Sequence, residues 1–321
     1  MIEVIYNGEK DPKALAKETL APEIAKIAEA DPDVIWLDAD LMNCSGTLKW
    51  ANANPTKAVN VGIAEANMAG VAAGLAAAGF KPYIHSFGTF ASRRCFDQVF
   101  LSAGYAGSDI TVIGTDPGVC AAFNGGTHMP FEDMAMYRAL PGCTVLDIAD
   151  SAQLTSVLWQ VKDRPGVKYI RMNRKNNPRV YADGSEFEIG KGVVAKDGAD
   201  VVIFACGHMV GHALGAAKLL AEEGIDAAVV DLFTVKPLDE DLVVKYAEKC
   251  GCVVTAENHN KIGGLTSAVS ECLAAKRPTP VEHVAVEDIF GQVGPMNFLE
   301  EEYDLTPDHI VRAAKAAVAR K

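Results

Sequence analysis

Glu65 stands in Val61-Gly-Ile-Ala-Glu-Ala-Asn-Met68, where a short strand ends, a glycine turns the chain and a carboxylate opens an apolar helix of alanines and glycines. A carboxylate in a first helical turn complements the helix dipole and needs no further role. Held in apolar surroundings, it can instead share a proton with a ligand nitrogen. In His85-Ser-Phe-Gly-Thr-Phe-Ala-Ser-Arg-Arg94, Phe87 and Phe90 fall where a strand hands over to a helix. That is the end of an open α/β sheet at which ligands bind, although aromatic side chains there also serve as core. Arg93 and Arg94 read by default as solvated helix charges. His128 closes a glycine-rich loop, Gly114 to Pro130, that lacks the Gly-Lys-Ser/Thr of a Walker loop. Glycines allow close backbone approach to a ligand, and a histidine exchanges protons near neutral pH. Arg171 and Arg174 flank the end of a strand in Tyr-Ile-Arg-Met-Asn-Arg. Guanidinium pairs suit phosphate or sulfonate, the alternative being a charged entrance to a linker. His208, His212 and His259 have no carboxylate or cysteine frame in the sequence around them and read as structural. Cys250-Gly-Cys252 has no second pair at zinc-ligand spacing, so no metal ligands are assigned.

The 321 residues, about half of them hydrophobic, form a folded chain of about two domains. Thirty Lys and Arg against 42 Asp and Glu give a net charge of −12, which argues against binding to nucleic acid or an anionic membrane surface. No apolar run approaches the roughly 20 residues needed to span a bilayer, and the N-terminus shows no signal peptide. Eight scattered cysteines read as buried free thiols in a reducing cytoplasm.

The elements that must position these groups alternate. Strands are expected at 34–37, 58–61, 82–85, 110–113, 144–146 and 167–170, with helices at 14–30, 64–79, 90–104 and 132–140. The small residues of 64–79 predict a deeply buried helix. The polar stretch 173–185 reads as a linker. Strands at 201–204, 227–230, 252–255 and 281–286 then alternate with helices at 210–223, 239–249, 266–275 and 307–320. The pattern predicts two doubly wound α/β domains, 1–175 and 191–321, joined by a linker at 176–190.

Eight segments carry a resemblance: Leu-Asp-Ala-Asp40, Gly-Ile-Ala-Glu-Ala-Asn-Met68, Ser-Phe-Gly-Thr-Phe90, Phe-Asp-Gln98, Gly-Gly-Thr-His128, Phe-Glu-Asp-Met-Ala-Met136, Ile-Arg-Met-Asn-Arg174 and Phe-Thr-Val-Lys-Pro-Leu238. In this order they resemble the C-terminal half of a transketolase, over nearly the whole chain. The resemblance implies a pyrimidine-binding domain followed by a transketolase C-terminal domain, and thiamine diphosphate as cofactor. The glutamate matched by Glu65 contacts N1′ of the aminopyrimidine and controls its tautomer. Phe87 matches the ring stacked on the pyrimidine, Phe90 its companion, and Ile63 lies on the cofactor side. His128 matches a substrate-contacting histidine and Arg174 a substrate-phosphate arginine. Lys17 stands where another phosphate-binding arginine is expected, and Cys44 and Ser45 where a serine serves the same phosphate. Arg93 is placed on the substrate side.

Two positions depart from the family pattern. Thr115-Asp116 replaces a Ser/Thr-His pair, and Phe123-Asn124-Gly125 replaces Glu-Asp-Gly. Asp116 and Asn124 are therefore expected to move substrate choice away from the usual pentose phosphates. The Gly-Asp-Gly that holds diphosphate and metal in the family is missing. The expectation is a C-terminal subunit, active only with an N-terminal partner that supplies the Mg2+ ligands, two copies of each chain assembling. It would transfer a two-carbon ketol unit from a ketose phosphate to an aldose, non-standard sugars included. The alternatives are a C-terminal section of 1-deoxyxylulose-5-phosphate synthase and a non-catalytic regulatory half.

Overall fold

Runs of consecutive apolar residues become central strands covered on both faces, as a parallel sheet between helices requires. The computed structural model describes residues 2–321. In the first half, β1 (Val34–Asp38), β2 (Ala58–Asn60), β3 (Lys81–Phe87), β4 (Ile110–Thr115), β5 (Thr144–Asp147) and β6 (Val167–Met172) pair in parallel. In the second half, β7 (Val193–Lys196), β8 (Val201–Ala205), β9 (Ala227–Asp231), β11 (Val253–Asn260) and β12 (Val281–Val286) form a five-stranded sheet of order β12-β11-β8-β9-β7. Its edge strand β7 is antiparallel to β9. The remaining strand, β10 (Thr234–Lys236), leaves the second half and pairs antiparallel with β5. The first sheet thus has seven strands, in the order β10-β5-β6-β4-β3-β1-β2. This is the expected pair of α/β units, with one strand exchanged between them.

Several local expectations change. The helix Glu65–Ala77 buries Met68, Ala69, Ala72 and Ala73 but leaves Asn67, Gly70, Val71 and Gly74 exposed, so only one face is deeply packed in the single chain. The helix expected at 90–104 breaks into Gly88–Ser92, Phe96–Gln98 and a π-helical turn, Val99–Tyr105. Helices Ser151–Val161 and Met296–Glu302 were not anticipated. The polar stretch after β6 is packed, not extended in solvent. Asn173, Asn177 and Tyr181 are buried, and the Tyr181 hydroxyl donates to Asp231 at 2.7 Å. Residues near the N-terminus close over it through bridges of Val4 with Tyr181 and Lys10 with Pro178. Among the described residues, no helix is long and apolar enough to cross a membrane.

Candidate active site

The site lies at the C-terminal ends of β1, β3, β4 and β6, where parallel strands present backbone and side chains to a ligand. Glu65 is the first residue of its helix and only 3% exposed. Its carboxylate accepts from the Ser86 hydroxyl at 3.2 Å and from the Arg94 guanidinium at 3.2 and 3.4 Å. All three bonds are at the long end of the range, so the carboxylate keeps acceptor capacity for a further donor. Arg94, although half-exposed, has a partner its helix position does not suggest. It reaches Glu65 across 29 residues of chain and lies 3.7 Å from the centroid of the Phe90 ring.

Phe87, Phe90 and His128 form one aromatic group. The His128 ring meets Phe87 and Phe90 edge-on at centroid distances of 5.8 and 5.0 Å, and the two phenylalanines are 6.2 Å apart. Phe87 is buried while Phe90 and His128 are half-buried. The Thr127 hydroxyl engages His128 Nδ1 at 2.9 Å, which leaves Nε2 available to a ligand. Burial, with the positive charges of Arg94 and Arg93, lowers the His128 pKa against the opposing pull of Asp116, so the ring is neutral at pH 7.

Arg174 sits at the other side of Phe87, its guanidinium carbon 4.9 Å from the ring centroid. Both Nε and Nη2 lie 2.6 Å from Oδ2 of Asp116. Asp116 is buried and left-handed, with φ 58°, at the turn after β4. Burial opposes the Arg174 charge, but the Asp116 carboxylate outweighs it and holds the guanidinium pKa above its ordinary value. The segment carrying Lys17 joins this corner, since the Ala16 N–H donates to the Arg174 carbonyl at 3.2 Å. Gly46 permits the approach. Its φ is +84°, and a Cβ there would stand 2.8 Å from the Lys17 Cα. Cys44 lies beside Arg174, whereas the Ser45 hydroxyl is buried and turned inward to Thr47 at 2.8 Å and the Met42 carbonyl at 3.2 Å.

Other expected site residues sit at the edges. Arg93 pairs with Glu132 at 2.7 Å. Asn124 is exposed, as is Phe123 beside it, and Ile63 is 73% exposed. Arg171, weighed as an anion-binding partner of Arg174, is fully buried elsewhere. It bonds Asp133 at 2.9 Å, Asp147 at 3.0 Å and the Asn258 carbonyl at 2.5 Å. It ties the two halves of the chain together and is not available to an anion.

One polar chain escaped sequence reasoning. The β1–β3 register sets Asp38 opposite His85, and His85 Nδ1 lies 2.8 Å from Asp38 Oδ2. His85 Nε2 lies 3.3 Å from the Thr115 hydroxyl, and Trp36 stacks on the ring at 5.5 Å. All four side chains are buried. The signal was the strand pairing itself, which brings together residues 47 apart in sequence. The chain of bonds fixes the strand ends on which Ser86, Phe87 and Asp116 stand.

A buried carboxylate with spare acceptor capacity, beside two aromatic faces, suits a flat ring with a basic nitrogen. The thiamine diphosphate aminopyrimidine is such a group, and the residues present fit it. The transketolase pyrimidine-binding domain model matches residues 15–179, and the transketolase C-terminal domain model residues 190–310. The chain is 47% identical over 305 residues to a 6-deoxy-6-sulfo-D-fructose transketolase subunit of Clostridium sp. (strain MSTE9), covering 95% of each. It is 34% identical over 283 residues to a putative transketolase C-terminal section of Methanocaldococcus jannaschii, covering 87% of this chain and 89% of that one. Among solved structures it is similar to a split-gene transketolase, an inactive beta4 tetramer. The TM-score is 0.87 at 39% identity, covering 93% of this chain and 96% of that chain. The chain therefore belongs to the transketolase family and is built from that family's pyrimidine-binding and C-terminal domains.

Proposed function

We propose that this chain is the C-terminal subunit of a two-component transketolase. It would move a two-carbon ketol unit from a ketose bearing a terminal phosphate or sulfonate to an aldose. The observation that carries the reading is the grouping of buried Glu65, the Phe87–Phe90–His128 wall and the Arg174 corner on one face. Around this face the chain leaves apolar side chains uncovered: Val59, Ile63 and Val71 are all exposed. An N-terminal subunit carrying the diphosphate site and its Mg2+ ligands would cover that face, two copies of each chain assembling in the cytoplasm. Hard oxygen ligands for a divalent ion at the diphosphate would then come from the partner.

Thiamine diphosphate, when bound, supplies the electron sink for breaking a carbon–carbon bond next to a carbonyl. The chain's own residues do the rest. Glu65 shares a proton at N1′ of the pyrimidine, and Ser86 and Arg94 keep the carboxylate in place. Phe87 and Phe90 orient the ring and exclude water. His128, neutral at pH 7, holds or passes a proton at Nε2 on a sugar hydroxyl. Arg174 and Lys17 bind the terminal anion. A sulfonate, like a phosphate, offers three oxygens to a guanidinium. The similar Clostridium subunit, whose substrate is named as a sulfo-sugar, supports including sulfonates in the donor class.

The purified chain alone should show no ketol transfer and weak cofactor binding by calorimetry. Mixing it with the N-terminal subunit should create turnover and magnesium-dependent binding. Turnover by this chain alone would defeat the two-component reading. Decarboxylation of pyruvate in place of ketol transfer would favour the deoxyxylulose-phosphate synthase alternative.

Arg174→Ala should raise KM for sugars with a terminal anion and spare neutral acceptors. A charge on a remote group contributes uniform binding, which appears in KM more than in kcat. The variant also strips Asp116 of its partner, so steady-state kinetics on both substrate types form the check. Equal losses for charged and neutral sugars would mean that Arg174 is structural.

A further inference from the structure

His208 and His212 lie one helical turn apart, at the cap and in the first turn of the helix Met209–Glu222. Sequence alone offered them no carboxylate. The unanticipated helix Met296–Glu302 brings one from 88 residues away. Glu300 Oε1 is 3.4 Å from His208 Nε2 and 3.6 Å from His212 Nε2. The three ligand-type atoms lie within 4.8 Å of one another. Ligand atoms about 2.0–2.1 Å from a tetrahedral ion stand about 3.3–3.4 Å apart, so two of the three separations already suit one ion.

The outer contacts favour the same use. His212 Nδ1 lies 3.0 Å from the Leu305 carbonyl, to which it can only donate, so its Nε2 carries the lone pair. A ring nitrogen bonded to a backbone carbonyl is the usual support for a metal-bound histidine. His208 Nδ1 faces the Cys120 sulfur at 3.8 Å, on the far side of the ring from Glu300. His208 is 4% exposed, yet its Nε2 is buried without a hydrogen bond, Glu300 being near but misaligned. The two rings stand at 89° with centroids 5.3 Å apart, so both nitrogens address one space without stacking. Lys10, exposed, adds positive charge near Glu300 and weakens the site's net negative field.

We infer that His208, His212 and Glu300 form a binding site for a zinc-type divalent ion, with a fourth position left to water. Two imidazole nitrogens and one carboxylate oxygen match that borderline-soft class better than magnesium or calcium, which prefer all-oxygen sets. The ion would pin two helices of the second half together. The helix Met296–Glu302 packs on the turn Gly118–Asn124, and Cys120 of that turn touches His208. The site would thus brace the loop that carries Asn124 and leads to His128. It does not depend on the proposed sugar chemistry.

The test uses the full chain without an affinity tag, stripped with chelator and titrated with Zn2+ by calorimetry and with Co2+ by absorption. The expected result is one saturable equivalent, a Co2+ spectrum without a thiolate charge-transfer band, and a higher Tm in the presence of Zn2+. His208 is deeply buried and its replacement risks the fold, so the variants are His212→Asn and Glu300→Gln at more accessible positions. Each should weaken Zn2+ binding by about 10-fold or more and abolish the Tm gain. Absence of saturable binding, a thiolate band, or undiminished affinity in both variants would overturn the assignment.

Discussion

Glu65→Gln is expected to leave folding and subunit assembly intact and to lower ketol transfer by roughly 10²–10⁴-fold, the usual scale of a general acid–base contribution. The substitution preserves volume. The amide oxygen still accepts from Ser86, whose hydroxyl lies 3.2 Å from Oε1. What disappears is a group that can carry and share a proton with a ring nitrogen. Loss of the ion pair with Arg94 has little structural effect, because the arginine side chain is 47% exposed and water can solvate it. The measurement is kcat of the reconstituted enzyme at saturating cofactor and magnesium, with thermal melting as a control for the fold. Wild-type kcat in Glu65→Gln would remove Glu65 from the catalytic residues.

Arg171→Met should produce the largest loss of stability. The guanidinium lies between Asp133 and Asp147, all three essentially without solvent contact, and burial already pushes the Asp147 carboxyl above its usual range. Removing the cation strips two buried carboxylates of their shared guanidinium partner, which costs about 3–5 kcal/mol. It also takes a donor from the Asn258 carbonyl. The Asn258 side chain holds the active-site loop by donating to the Pro117 carbonyl at 2.9 Å and accepting from the Val119 N–H at 3.0 Å. A fall in Tm on the order of 10 °C follows from a loss of that size in a chain of this length. Arg171→Lys should recover only part of it, since an ammonium cannot span both carboxylates as a planar fork does. An unchanged Tm in Arg171→Met would mean that the two aspartates find other partners.

The central strands were legible because burial on both faces writes an uninterrupted apolar run, as in Val34-Ile-Trp-Leu37 or Val201-Val-Ile-Phe204. β7 and β10 were not, being three or four residues long and existing through an antiparallel neighbour. The helix Ser151–Val161 escaped because Ser, Thr and Gln dilute its apolar period. Its start is set by Asp150, whose carboxylate accepts from the Gln153 N–H. At the site, motif order identified Glu65, Phe87, Phe90, His128 and Arg174 as a group, and the fold does bring the aromatic and charged members together. The contacts that tune them were illegible. Nothing local announces that Arg94 turns to Glu65, that Asp116 grips Arg174, or that Ser45 points inward while Cys44 stays beside the arginine. Each depends on a partner 29 or more residues away, or on a turn one residue out of step.

The strand that crosses between the sheets limits how this chain can be cut and recombined. Thr234–Lys236 is encoded by the second half but hydrogen-bonded to β5 of the first. Production of residues 1–190 without the second half would leave this strand out and bare the β5 edge. Such an unpaired edge recruits other chains and promotes aggregation. Although two family models describe the sequence, the first sheet is completed by a strand that the second half encodes, so the boundary between the models is not a clean place to cut.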